Sequence, residues 1–397
     1  MYALDDWRKL VRDLPLASSH CHHRPAEVHR ELDLATLLNT AYIAWGGRDA
    51  TPVADRESYV DEFGANTYFV WLSKAIAQLY HQGEIRAESW EELSKAISEA
   101  HASPEYHFQL LKDTCRLKFA VQDSYWNPGD DLGRPDLFRP TFRINEWVLC
   151  HGPEVVDHNE NSPWQTDGFA PATLDEYLEL CTQRIEAAVA RGCVALKSAL
   201  AYDRTQAFDH PDRALAKQAF GVAPDRATEA QKQAFGDVVM HHICAVAGRV
   251  GVPLQVHLGL GKIAGSRPMY FEPMLAQYPQ TTFDLFHCGY PWTQDLGGLL
   301  HVYRNVYADF CWLPIISTTV AVQTLHEYLE VAFGNERLLW GDDCGTAEET
   351  YGARLAWEHV VARVMHERVE TGLLGRRAAE KLAGKLMYGN VERLYGG

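Results

Sequence analysis

The sequence predicts a (β/α)8 TIM barrel with a helical insertion after its first strand. Three observations predict it. Short β-like runs alternate with helical ones over most of the chain, which implies a parallel sheet. Counting the first, these runs number eight, the count at which such a sheet closes. The 397 residues also exceed the roughly 250 of a typical barrel, which leaves room for a large insertion.

Taken in order, an amphipathic helix over Leu4–Leu14 leads into a short first strand, Pro15–His20. From about residue 31 to about residue 115 no strand-like run occurs. The segments LDLATLLNTAYIAW, YFVWLSKAIAQLY and WEELSKAISEAH instead carry apolar residues at three- and four-residue spacings, the helical period. This block is the insertion. Seven further strand candidates follow: Leu117–Gln122, Thr141–Val148, Cys193–Ala199, Pro253–Leu258, Thr282–His287, Val306–Cys311 and Arg337–Gly341. Helical stretches such as Leu174–Arg191, Gly236–Val250 and Thr318–Phe333 separate them. No repeat, low-complexity tract or Pro/Ser-rich linker divides the chain, so residues 1–397 read as one domain.

Composition supports a large core, with 47% hydrophobic residues and 11 Trp, 18 Tyr and 15 Phe. A formal net charge of −16 argues against nucleic acid or an anionic membrane as partner, since both need a basic footprint. No apolar run approaches the roughly 18 residues of a spanning helix. The opening MYALDDWRKLVRDL lacks the layout of a signal peptide. Nine cysteines, an odd number without CxxC pairs, suit reduced thiols in a cytoplasmic protein.

In a (β/α)8 barrel the chemistry sits where the strands end. The first strand ends in His20-Cys21-His22-His23, and residues two apart in an extended chain point the same way. Lys197 ends the fourth strand, His257 the fifth, His287 the sixth, and Gly341-Asp342-Asp343 the eighth. Alone, each is weak: a strand-end histidine is as often a structural hydrogen-bonder, and a paired Asp is usually a solvated turn. Their coincidence at converging strand ends suits a Zn²⁺-like divalent ion, which takes neutral imidazole and carboxylate oxygen.

These segments resemble the amidohydrolase superfamily, in its amidohydrolase-2 branch, and most closely the amidohydrolase-like domain of FluG proteins. The resemblance is carried by His20-Cys-His22, ALKSALAYDR around Lys197, PLQVHLGLG around His257, the run from His287 to Pro314, and RLLWGDDCGTAEETYGA around Asp343. It implies metal ligands at His20, His22 and His257, and a metal carboxylate at Asp343. Asp342 stands where the family has Ser or Thr, a departure that sets an extra acid beside the ligand. No glutamine-synthetase-like part accompanies the barrel, so ammonia ligation is not implied.

The expected activity is a metal-dependent hydrolase attacking an amide or ester-like carbonyl of a small carboxylate-bearing substrate. Asp343 passes protons, and His287 binds the carbonyl oxygen or orients water. Lys197 either is carbamylated and bridges two metals, or stays an ammonium for a substrate carboxylate; the resemblance favours one metal. Arg24 and Arg204 are candidate carboxylate binders, with surface ion pairing an equal alternative. Trp126 and Tyr290, with Tyr125 and Trp292, could wall a pocket or simply pack loops. Gly259-Leu-Gly261 lacks the helix-opening pattern of a phosphate loop. The helical insertion could lid the site or join two copies of the chain. Three other readings stand beside hydrolysis: decarboxylation, uronate-isomerase-like proton transfer (PTFRINEWVL resembles that group's third strand), and a barrel without turnover.

Overall fold

A computed structural model describes residues 3–396 and contains one eight-stranded sheet, ordered β1 to β8 with every neighbouring pair parallel. The strands are β1 (Leu16–Cys21), β2 (Leu117–Gln122), β3 (Phe138–Arg143), β4 (Ala195–Ser198), β5 (Leu254–Val256), β6 (Phe283–Leu285), β7 (Val306–Asp309) and β8 (Leu338–Leu339). Backbone hydrogen bonds bring the last strand end to the first: Ser19 N to Trp340 O (3.0 Å), Asp343 N to His20 O (3.0 Å) and His22 N to Cys344 O (2.8 Å).

Among the outer helices, Leu174–Ala190 buries a single stripe. There the buried residues Leu174, Tyr177, Leu178, Cys181 and Ile185 recur at helical spacing, and the Thr173 side chain caps the helix by accepting from Glu176 N. Helix Glu229–Val250 begins well before the expected Gly236, because Thr228 and Gln231 form a capping box. Between β1 and β2 the chain is helical, with its longer helices at Arg56–Phe63, Thr67–Tyr80 and Trp90–His101. They share an apolar cluster that includes Leu37, Tyr59, Ile76, Trp90 and Leu93. Thr67–Tyr80 docks on Ala347–Glu370 at Gly352, where an added Cβ would lie 3.0 Å from Trp71 O.

One strand boundary needs correction. The third strand was expected to run from Thr141 to Val148, but it ends at Arg143 and Asn145–Leu149 is helical. Ile144, Trp147 and Val148 are all buried, and their spacing of three and one is a helical stripe rather than a strand alternation. Among the described residues no helix is long and apolar enough to cross a membrane. All nine cysteines are free and buried.

Candidate metal centre and active site

The ladder between β1 and β2 slips between Ser18 and Cys21. The two residues within that slip, Ser19 and His20, both reach across the barrel: Ser19 Oγ lies 2.5 Å from Asp309 Oδ2, and His20 Nδ1 lies 3.0 Å from Gln255 Oε1. A bulge of this kind re-aims side chains next to active sites. Past the other strand ends, His287, Cys288, Trp312 and Asp343 all adopt positive φ, between 47° and 65°. Non-glycine residues rarely hold this conformation, and such strain concentrates at functional sites.

The hydrogen bonds fix the histidine tautomers. His22 Nδ1 lies 3.0 Å from the Asp123 carbonyl oxygen, which can only accept, so Nδ1 carries the proton and Nε2 the lone pair. The Gln255 amide nitrogen donates to Ser19 O (2.8 Å), so its oxygen faces His20 and the His20 proton also sits on Nδ1. His287 Nδ1 donates to Cys311 O (2.9 Å), and its Nε2 therefore accepts from His257 Nδ1 (3.0 Å). The free lone pairs of His20, His22 and His257 are all on Nε2.

The lone pairs of His20 and His22 converge with a carboxylate. Asp343 Oδ1 is 3.2 Å from His22 Nε2 and 3.7 Å from His20 Nε2, and Asp123 Oδ2 is 3.7 Å from the same His20 nitrogen. Two ligands of one tetrahedral ion at about 2.0–2.1 Å lie roughly 3.4 Å apart. The buried Nε2 atoms of His20 and His257 have no hydrogen-bond partner. Lone pairs facing a carboxylate at these distances repel unless a cation lies between them, so the donor set fits a divalent metal. Two adjacent sets of metal-capable residues, with no member in common, occur here among the described residues: His20, His22 and Asp123, and His287, Cys311 and Asp343; His257 belongs to neither.

Burial alone would raise the Asp343 pKa, but its contact with His22 and the pull of neighbouring groups, Lys197 among them, bring it below the usual carboxylate value. Asp123 is likewise held low against burial, chiefly by Arg143. Arg143 Nε lies 3.1 Å from Asp123 Oδ2, and Nη1 donates to Asn159 Oδ1 at 3.0 Å, which occupies its fork. Asp342, beside Asp343, faces elsewhere. Its N–H donates to Ser18 Oγ (3.1 Å), its carboxyl lies 4.0 Å from His23, and burial raises its pKa to about 7.

A pocket of about 720 Å³ opens over this cluster, lined by His22, Arg24, Tyr42, Lys197, Tyr202, His257 and Asp343 among others. Lys197 is 2% exposed, and its Nζ sits 3.5 Å from the centroid of the Phe286 ring, with no ion pair to a carboxylate among the described residues. Burial pushes its pKa down to about 8, against the opposing pull of Asp343 and Asp123. Arg24 lines the pocket too, stacked 3.6 Å from the Trp126 ring centroid and donating to Tyr125 Oη.

Four sequence candidates do not line the pocket. Arg204 pairs with Asp237 and packs on Phe208, away from the pocket. Tyr290 packs against the core and does not line the pocket. Trp126 supports Arg24 from behind rather than forming a wall. His287 is fully buried behind His257, so its ring reaches that imidazole and not a substrate carbonyl. The Gly259-Leu-Gly261 turn serves close packing: a Cβ on Gly261 would lie 2.8 Å from Ala201 O. Sequence reading missed Asp123 and Arg143. Asp123 directly follows β2, the same strand-end signal used for the other ligands. Arg143 is itself the last residue of β3, a strand end that lies inside the expected strand Thr141–Val148.

Fold and site together define a (β/α)8-barrel protein with a candidate metal centre at the C-terminal ends of its strands. Residues 152–397 match the family model Amidohydro_2, described as amidohydrolase, and the chain belongs to that family. Protein fluG of Emericella nidulans is 34% identical over 149 residues, which make up 36% of this chain and 17% of that protein. The matched segment thus spans less than a fifth of that relative. Among solved structures, the uronate isomerase of Thermotoga maritima superposes with a TM-score of 0.75 at 16% identity, covering 99% of this chain and 97% of that one. A Lactobacillus casei ATCC 334 protein, described by inference as a metal-dependent hydrolase, gives 0.72 at 17% identity over 98% and 97%. At these identities the likeness is one of fold.

Proposed function

We propose that this chain is a metal-dependent hydrolase that cleaves the amide, ester or lactone bond of a small carboxylate-bearing substrate. The observation that carries this reading is the convergence of the His20 and His22 Nε2 lone pairs on Asp343 Oδ1, at 3.7 and 3.2 Å. His20, His22 and Asp343 would hold the ion, with His257 completing or flanking the set. When bound, a Zn²⁺-type ion brings the pKa of water towards about 7 and polarises a carbonyl.

The chain's own residues do the rest. Asp343, kept ionised, takes the proton of the attacking water and returns it to the leaving group. His257, with its lone pair on Nε2, accepts from that water or ligates. Lys197 presents an ammonium to the developing oxyanion or to a substrate carboxylate, and Arg24 offers a second cation at the pocket wall. One metal suits this arrangement, with Lys197 unmodified. The charge, composition and cysteines remain consistent with a cytoplasmic enzyme acting on a small molecule.

A second reading, uronate-isomerase-like proton transfer between adjacent carbons, draws support from the likeness to the Thermotoga maritima enzyme over 99% of this chain. Here Asp343 or His257 would shuttle a carbon-bound proton. One experiment separates the readings: metal-loaded protein is assayed against N-acyl amino acids, lactones, hydroxybenzoates and uronates. Hydrolysis of an acyl derivative or lactone is expected. Aldose–ketose interconversion alone would establish isomerisation instead, CO₂ release decarboxylation, and no turnover on any class would refute the enzyme reading.

A further inference from the structure

The helix Asn390–Tyr395 inserts a tyrosine into the inside of the barrel. Tyr395 is buried among Ala17, Phe119, Val121, Ala195 and Leu339, contributed by β1, β2, β4 and β8. Its hydroxyl lies 2.5 Å from Asp284 Oδ2 and 3.1 Å from Gln255 Nε2. An amide nitrogen has no lone pair to offer, so the tyrosine accepts from Gln255 and donates to Asp284. Gln255 thereby uses both of its N–H groups, one on Ser19 O at 2.8 Å and one on Tyr395, and its oxygen is left for His20 Nδ1 at 3.0 Å. Gln255, Asp284 and His20 are all fully buried, so bulk solvent does not reach these contacts.

We propose that Tyr395 is a positioning residue for the metal ligand His20, acting through Gln255. The chain Tyr395–Gln255–His20 holds the imidazole as its Nδ1–H tautomer, with the Nε2 lone pair aimed at Asp343. It rests on the metal-centre reading above. Outer partners of this kind fix the tautomer and ring orientation of a ligating histidine, and their loss costs about 10- to 100-fold in metal affinity. The distinctive part is the source of the constraint: a side chain near residue 395 enters from the opposite end of the barrel to the substrate.

The test compares wild type, Tyr395→Phe, Gln255→Met and the double variant. Zn²⁺ affinity is read by competition with a chromophoric chelator, and ¹⁵N shifts of the His20 ring are read in the metal-free proteins. Tyr395→Phe should weaken Zn²⁺ binding about tenfold and broaden the His20 tautomer signal. Gln255→Met should weaken binding at least as much, and adding Tyr395→Phe to it should change little. Equal affinity of Tyr395→Phe and wild type, or independent losses that multiply in the double variant, would overturn the proposal. Should Tyr395→Phe not fold, a His20 ring with its proton on Nε2 in wild type, or unaltered in Gln255→Met, overturns it equally. A wild-type protein that binds no Zn²⁺ brings down the metal reading as well.

Discussion

His257 Nδ1 lies 3.0 Å from His287 Nε2, and His287 Nδ1 lies 2.9 Å from the Cys311 carbonyl oxygen. The carbonyl orders both imidazoles, because it fixes the first proton and the first fixes the second. Burial keeps both rings neutral: the His257 pKa falls well below the usual value and the His287 pKa falls to about 4. The consequence is an unprotonated imidazole nitrogen of a pocket-lining residue, whose direction depends on a residue that no substrate touches.

His287→Asn tests that dependence. Asparagine tolerates the positive φ at this position (60°) but is too short to reach His257. Turnover should fall by about 10- to 100-fold with secondary structure retained, as for other residues that orient a catalytic imidazole. Steady-state kinetics with circular dichroism checks it; an unaltered kcat/KM would show that His257 needs no such support.

Asp343→Asn keeps the shape and the positive-φ backbone while removing the charge and the proton acceptor. Turnover should drop by at least about 100-fold, the usual share of a general base. Bound metal per chain should drop with it, because His20 and His22 lose their anionic co-ligand. Near-wild-type turnover together with full metal content would move both roles to another residue, Asp123 being the nearest carboxylate.

How far the sequence revealed this site depended on whether each residue carried a local signal. Eight β-like runs and their helices were legible because burial imposes a period, and His20, His22, His257 and Asp343 because they stop apolar runs at the functional end of the barrel. Arg204 and Tyr290 lie in loops past strand ends rather than at them, and a strand end does not set the direction of the loop beyond it: Arg204 turns to Asp237. Gln255 was a polar residue inside the apolar run PLQVHLG, a readable clue to an inward contact. Tyr395 had no such clue: its role depends on a helix nearly 140 residues away from Gln255 in sequence folding under the barrel.

Arg24 supplies a test of substrate charge. Its guanidinium is stacked on Trp126 and directed by Tyr125, it lines the pocket, and it makes no ion pair with an acidic side chain among the described residues. Arg24→Gln should raise KM for a carboxylate substrate about 10- to 100-fold, the equivalent of a lost charge-assisted hydrogen bond. kcat should change little, and the uncharged amide analogue of the substrate should lose far less. An equal loss for charged and uncharged substrates would assign Arg24 to loop packing.

Lys197 gives the pH dependence a definite sign. Burial lowers its pKa from 10.5 to about 8 in the folded protein, while the unfolded chain keeps the higher value. Between these values the unfolded state binds more protons, so stability rises with pH across the window. Above about pH 10.5 the penalty is gone, and as pH falls through 8 it is present in full. Lys197→Met replaces the ammonium with an apolar chain of similar reach against Phe286. In metal-free protein the variant should therefore gain on wild type as pH falls from about 10 to about 7, by up to roughly 3 kcal/mol at 1.36 kcal/mol per unit. Denaturant unfolding at several pH values measures the difference. A gap that stays constant with pH would mean that Lys197 keeps its proton throughout, held by Asp343 and Asp123 as a permanent cation of the site.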